Sequence, residues 1–275
     1  MHTASASIGM FDSGLGGLTV MQQLLRLLPN EHIVYFGDTA RLPYGDKSPA
    51  TIIRYSLENA NFLLEKNIKM LIIACSTATA HALDSLQQTY SLPIVGAIDP
   101  GAQRAIETSK NGRVAVLGTK GTIHSQAYQK AIIERDPHAY ILPIACPLFV
   151  PLVEEHFTHH PAARLIVQEY LKPLESQHID TLILGCTHYP LLKELIRQEV
   201  GEQITIIDSA AACAEQVAKL LHGSNLDRST CNQEPHHYFV SDDPHKFQSL
   251  GKSFLGLPID KVELSTLQPA TSNSR

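Results

Sequence analysis

Two cysteines, Cys75 and Cys186, stand in matched surroundings. Lys69–Ser76 reads KMLIIACS, and Asp180–Thr187 reads DTLILGCT. Each is an apolar strand, a small residue, a cysteine and a hydroxyl residue, followed by a predicted helix. In parallel α/β proteins ligands gather outside the carboxyl ends of the strands, and both thiols fall there. Backbone N–H groups and the dipole of a helix start favour a thiolate, lowering a pKa that begins near ~8.5. The competing reading is a small buried hydrophobe after a strand. Two such cysteines, one in each predicted domain, weigh against it.

Disulfide oxidoreduction would want a Cys-x-x-Cys pair, and a structural zinc would want four ligands at short spacings. Neither pattern occurs. Racemisation suits two similar thiols better. One base takes a proton from one face of a carbon while a conjugate acid returns one to the other face, and the roles exchange with direction.

Several residues could support such thiols. Asp12 follows the first strand in FDSGLGG, where Ser13, Gly14, Gly16 and Gly17 can present backbone donors. That loop lacks the G-x-G-x-x-G spacing of a dinucleotide site, and Gly118–Gly121 lacks the ending of a P-loop. His188, two residues after Cys186, could hold a proton near neutrality. Glu154 and Glu155 taken alone read as a solvated helix face. His156 and His160 have the spacing of one helix face, but no third ligand joins them and no metal is expected. Cys146 has no obvious partner, Cys213 reads as helix packing, and Cys231 falls in a polar loop.

The elements that must position these groups alternate along the chain. Strands are predicted at Ser7–Phe11, Ile33–Phe36, Met70–Ala74, Ile94–Ile98, Arg113–Leu117, Tyr140–Ile144, Thr181–Leu184 and Ile204–Ile207. Helical patterns lie at Leu18–Leu28, Pro49–Glu65, Ala78–Gln88, His124–Glu134, Pro161–Ser176, Pro190–Glu199 and Ala210–Leu221. Alternation of this kind implies an α/β fold with mostly parallel sheets flanked by helices, because parallel neighbours need a crossover. The two cysteine motifs, with IGMFDSG and RVAVLGTKG opening the two halves, suggest two pseudo-symmetric domains with a cleft between them. The expected division is 1–98 plus 209–275 for the first and 99–208 for the second. Ser224–Pro235 reads as a polar loop, and the last eight residues are expected to be disordered.

Composition fits an ordinary globular protein: 275 residues, 44% hydrophobic and 18% charged. A formal net charge of -5 and the lack of a Lys/Arg block argue against direct nucleic-acid binding. No apolar run is long enough for a membrane span, and the start carries no signal-peptide pattern. Five cysteines, an odd count at irregular spacing, read as reduced thiols in a cytoplasmic setting.

These motifs together resemble the glutamate racemase family, within the aspartate/glutamate racemase superfamily. The resemblance runs from about Ile8 to Leu264. It rests on FDSGLGGLTV at Phe11–Val20, YFGDTARLPYG at Tyr35–Gly45, IIACSTATA at Ile72–Ala80, CPLFVPLVEE at Cys146–Glu155, LILGCTHYPLL at Leu182–Leu192 and IDSA at Ile207–Ala210. It implies interconversion of L- and D-glutamate, supplying D-glutamate for peptidoglycan, without pyridoxal phosphate, metal or nucleotide. By motif, Cys75 and Cys186 are the proton donor/acceptors, with Asp12 serving Cys75, and His188 and Glu154 serving Cys186. Asp12, Ser13, Tyr44, Gly45, Ser76, Thr77, Thr187 and His188 are expected to line the substrate. The resemblance also implies a homodimer; some members bind DNA gyrase.

Two positions depart from the family pattern. The first cysteine motif usually reads ACNTA, and Ser76 here replaces the amide residue. After PLVEE the family commonly has Gly, where this chain has His156. Two alternatives therefore stay open: a racemase or epimerase of aspartate or diaminopimelate, and a non-catalytic amino-acid-binding or thiol-sensing protein.

Overall fold

The computed structural model describes residues 3–228, 230 and 234–267. Within them the chain runs β1 (Ser7–Asp12), α1 (Leu18–Leu27), β2 (Ile33–Gly37), α2 (Pro49–Leu64), β3 (Ile68–Ile73), α3 (Ser76–Thr89), β4 (Ile94–Gly96) and α4 (Ile98–Thr108). It continues through β5 (Arg113–Gly118), α5 (Lys120–His124), α6 (Ala127–Ile133), β6 (Tyr140–Ala145), α7 (Phe149–Glu154), α8 (Pro161–Leu171), β7 (Thr181–Leu184) and α9 (Lys193–Val200). The last elements are β8 (Thr205–Asp208), α10 (Ser209–Gly223), β9 (His237–Val240), α11 (Pro244–Leu255) and β10 (Val262–Leu264).

Two sheets result, ordered β10-β9-β2-β1-β3-β4 and β6-β5-β7-β8. Every strand pairing in both is parallel. The central strands read as continuous apolar runs because each side of the pleat meets helices. Met70 and Ile72 of β3 point into one core and Leu71 and Ile73 into another. Ala115 and Leu117 of β5 enter the first of these cores, while Val114 and Val116 face a third. The largest core is thus shared by inner faces of both sheets and holds α1, α10 and α11 residues as well.

After β8 the chain returns to the first sheet. Asp208 caps α10, its Oδ1 accepting from the Ala210 N–H at 2.9 Å. β9 then pairs with β2, and β10 closes that edge.

The predicted elements are all present, with shifted ends. Ile98 begins α4 rather than ending β4. The pattern at 124–134 breaks at Gln126, which takes a left-handed φ of 58° between α5 and α6. The 161–176 pattern stops as α-helix at Leu171, where Pro173 denies the ladder an N–H and a 3-10 turn follows. The 190–199 pattern opens with a 3-10 turn over Tyr189–Leu192. β9, β10, α4, α7 and α11 have no counterpart in the sequence-based assignment.

Three expectations fall wholly or partly outside the described residues: Cys231, part of the 224–235 loop and the last eight residues. Among the described residues no helix is long and apolar enough to cross a membrane.

Candidate active site

The carboxyl ends of β1 and β3 in one sheet, and of β5 and β7 in the other, open into one cavity of roughly 330 Å³. Cys75 follows β3 and Cys186 follows β7, and both thiols line it. Ser13, Tyr44, Gly45, Ser76, Thr77, Glu154, Thr187 and His188 line it too. Asp12 does not. Its carboxylate lies one layer behind, fully buried beside Cys75.

Cys75 is the N-cap of α3, its sulfur accepting from the Ala78 N–H at 3.5 Å and donating to Ser13 Oγ at 3.7 Å. The helix start was expected to favour a thiolate. Burial outweighs it, and the neighbouring Asp12 carboxylate adds to the effect, so the thiol is pushed up to about 12. Asp12 is itself raised by burial, against the pull of His188 and the backbone N–H groups of Gly14 and Gly17. Its Oδ2 accepts from the Gly14 N–H at 2.9 Å, while Oδ1 has no partner. Tyr35 fixes the same loop by donating to the Gly14 carbonyl at 2.9 Å.

Cys186 sits differently. It is followed by a turn and the 3-10 segment rather than by the first turn of an α-helix. His188, two residues on, pairs through Nε2 with Glu154 Oε1 at 2.9 Å. Burial alone would push the imidazolium down, but its interactions with Cys186 and Glu154 prevail and raise it to about 10. Burial would likewise raise Glu154, yet the bond to His188 prevails and lowers it. A Cβ at Gly16 would lie 2.2 Å from Thr187 Oγ1 and 2.5 Å from His188 Nδ1, so only glycine lets this loop close on the Cys186 side.

Tyr44 is held from outside the cavity. Its hydroxyl donates to Asp38 and accepts from Asn59 Nδ2 at 3.0 Å. Arg41 binds Asp38 at 2.7 Å, bonds to Glu58, and stacks on Tyr55 at 3.9 Å. Across the cleft, the Thr77 hydroxyl pairs with Thr119 Oγ1 at 2.8 Å and Thr122 Oγ1 at 3.1 Å. Ser76 is buried, and Tyr128, which pairs with Ser209 at 2.9 Å, stands next to it.

The Asp/Glu/Hydantoin racemase family model matches residues 8–217. The chain belongs to that family. The racemase is 53% identical over 262 residues to a glutamate racemase of Geobacter metallireducens, with 95% of this chain and 97% of that one covered. Its fold superposes on glutamate racemase RacE1 of Bacillus anthracis with a TM-score of 0.92 at 39% identity, covering 95% and 97% of the two chains. A Francisella tularensis glutamate racemase, solved in complex with D-glutamate, gives a TM-score of 0.90 at 36% identity, covering 96% and 98%.

Sequence reasoning passed over several groups that the racemase brings to this cavity. Leu42, Pro43, Pro147, Val150 and Pro151 form its apolar wall, and Thr119 and Lys120 reach it from α5. Thr119 carried a signal: a threonine three residues before another, after a strand, is a helix cap, and its Oγ1 accepts from the Thr122 N–H at 3.2 Å. His156 and His160 do not share a helix face. His156 stands at a left-handed φ of 58°, the conformation glycine takes without cost, and His160 caps α8 through Nδ1 at 3.1 Å. Among the described residues no cluster of three or more His, Cys, Asp or Glu side chains is arranged to hold a metal.

Proposed function

We propose that this racemase interconverts L- and D-glutamate by two-base proton transfer at Cα, Cys75 addressing one face and Cys186 the other. The observation that carries the reading is the convergence of both thiols, one from each sheet, on a single cavity large enough for an amino acid. The near-full-length likeness to glutamate racemases supports the substrate. Asp12 serves Cys75, while His188, oriented by Glu154, serves Cys186. Thr77, Thr187 and the backbone N–H groups beside them stabilise the charge that develops on the substrate carboxylate when the α-proton leaves. No cofactor takes part.

The two sheets act as domains, 1–98 with 209–275 and 99–208, closing on the substrate and excluding water. The resemblance supports a homodimer in the cytoplasm that supplies D-glutamate for peptidoglycan. Purified protein without added cofactor should racemise either glutamate enantiomer and, in deuterated water, exchange the Cα proton. Binding of glutamate with no exchange would leave a binder and refute the reading.

A further inference from the structure

Charge in the cavity lining is unevenly distributed. Three carboxylates, Asp46, Glu154 and Glu155, face it, and each repels an anionic ligand. Glu154 is paired with His188. Lys120 is the only lysine or arginine in the lining among the described residues, and none of their ion pairs uses it. It is exposed at the rim, on the second sheet's side.

Its location follows from the packing of its neighbour. A Cβ at Gly45 would lie 2.9 Å from the Cβ of Thr119, so the Tyr44–Asp46 turn is pressed against the residue preceding Lys120. Lys120 therefore flanks, from the opposite sheet, the turn whose Tyr44 is anchored through Asp38 and Asn59. Beside the apolar wall of this cavity, Lys120 thus supplies the one lysine or arginine side chain of the lining among the described residues.

We infer that Lys120 is a specificity-determining residue: it selects amino acids bearing a second carboxylate by pairing with that group at the rim. The inference rests on the proposed function for the placement of Cα, and it names what that reading leaves open, the group that distinguishes a dicarboxylate from its neutral analogues. A flexible ammonium at an exposed rim acts as a point charge, so its contribution falls with ionic strength.

The test is calorimetric binding of D-glutamate and D-glutamine, which differ by the charge of one terminal group. Wild type is expected to prefer D-glutamate. Lys120→Gln should reduce that preference about tenfold, a change of about 1.4 kcal/mol. Lys120→Arg should keep most of it. Raising salt should narrow the preference in wild type and leave it unmoved in Lys120→Gln. An unchanged ratio in Lys120→Gln, equal loss of affinity for both ligands, or no preference in wild type overturns the assignment. A wild type that shows the preference but does not racemise glutamate refutes the proposed function and leaves the role of Lys120 standing.

Discussion

The hydroxyls of Thr77 and Thr119 lie 2.8 Å apart, joining the first turn of α3 to the cap of α5 and so one sheet to the other at the mouth of the cavity. A second tie runs from Thr19 Oγ1 to the Thr187 carbonyl at 2.9 Å, between residues 168 positions apart. Thr119 does two jobs, capping and bridging. Thr119→Val should cost about 1–3 kcal/mol in urea unfolding, since both interactions go and Thr77 loses a partner. Thr77→Val spares the cap and should cost less. Equal losses in the two variants would contradict this division.

The cysteines should separate by direction. Cys75→Ser and Cys186→Ser should each lower racemisation by about 100-fold or more. Elimination of a β-leaving group needs only one base, so each variant should retain it for one enantiomer, and opposite ones. With substrate bound, the two sulfurs should stand about 7 Å apart, roughly 3.5 Å on each side of Cα. Normal racemisation by both variants would remove both residues from the mechanism.

His188 predicts a pH dependence of known sign. Its pKa is raised to about 10 in the fold, from an ordinary value of 6.5. The stabilisation is therefore complete below about pH 6.5 and is lost as pH rises through about 10. Glu154→Gln removes one of the two partners that hold it up. The Tm difference between wild type and Glu154→Gln should shrink on going from neutral pH to above about pH 10. The alkaline limb of kcat/KM should move to lower pH in the variant. A limb that stays in place would exclude His188 as the group that titrates there.

Ser76 is the position where substrate breadth is most open to test. Its hydroxyl is buried next to the Tyr128 side chain. Ser76→Asn restores two hydrogen-bonding groups and fills volume. Glutamate binding should tighten, by up to about 1–3 kcal/mol where the amide meets the substrate. Wild type should turn over a longer substrate such as diaminopimelate, and the variant should do so less. The ratio of kcat/KM for the two substrates reads both effects, and an unchanged ratio would make the swap neutral.

Much of this arrangement was legible from pattern because parallel strands buried on both faces are unbroken apolar runs. β1 to β5 and β7 have that signature, whereas β6 and β8, at the two edges of the four-stranded sheet, are only partly buried. β9 and β10 lack it: HYFV follows a polar loop, and β10 spans only Val262–Leu264 at the sheet edge. Short edge strands are defined by their neighbour's open hydrogen-bonding groups, which no local pattern displays. The cysteines, Tyr44, Thr77 and His188 were found from motifs. The Asp38–Arg41–Glu58–Asn59 brace behind Tyr44 was not, since its members meet only when α2 docks. Asp12 shows the limit from the other side: a motif identified the residue, but only packing revealed that its carboxylate lies behind the lining.

The order of strands along the chain also sets an order of assembly. Strands β5 to β8 occupy one uninterrupted stretch, whereas β2 waits for a neighbour, His237 of β9 opposite Val34, from far downstream. At synthesis rates of about 5–20 residues per second, that wait is on the order of 10–40 s. The four-stranded sheet can form during it, while β2 remains an open, apolar edge of the kind that recruits other chains. The last strands to emerge therefore protect the first ones made, and a chain cut short after α10 would keep both cysteines yet leave that edge uncovered.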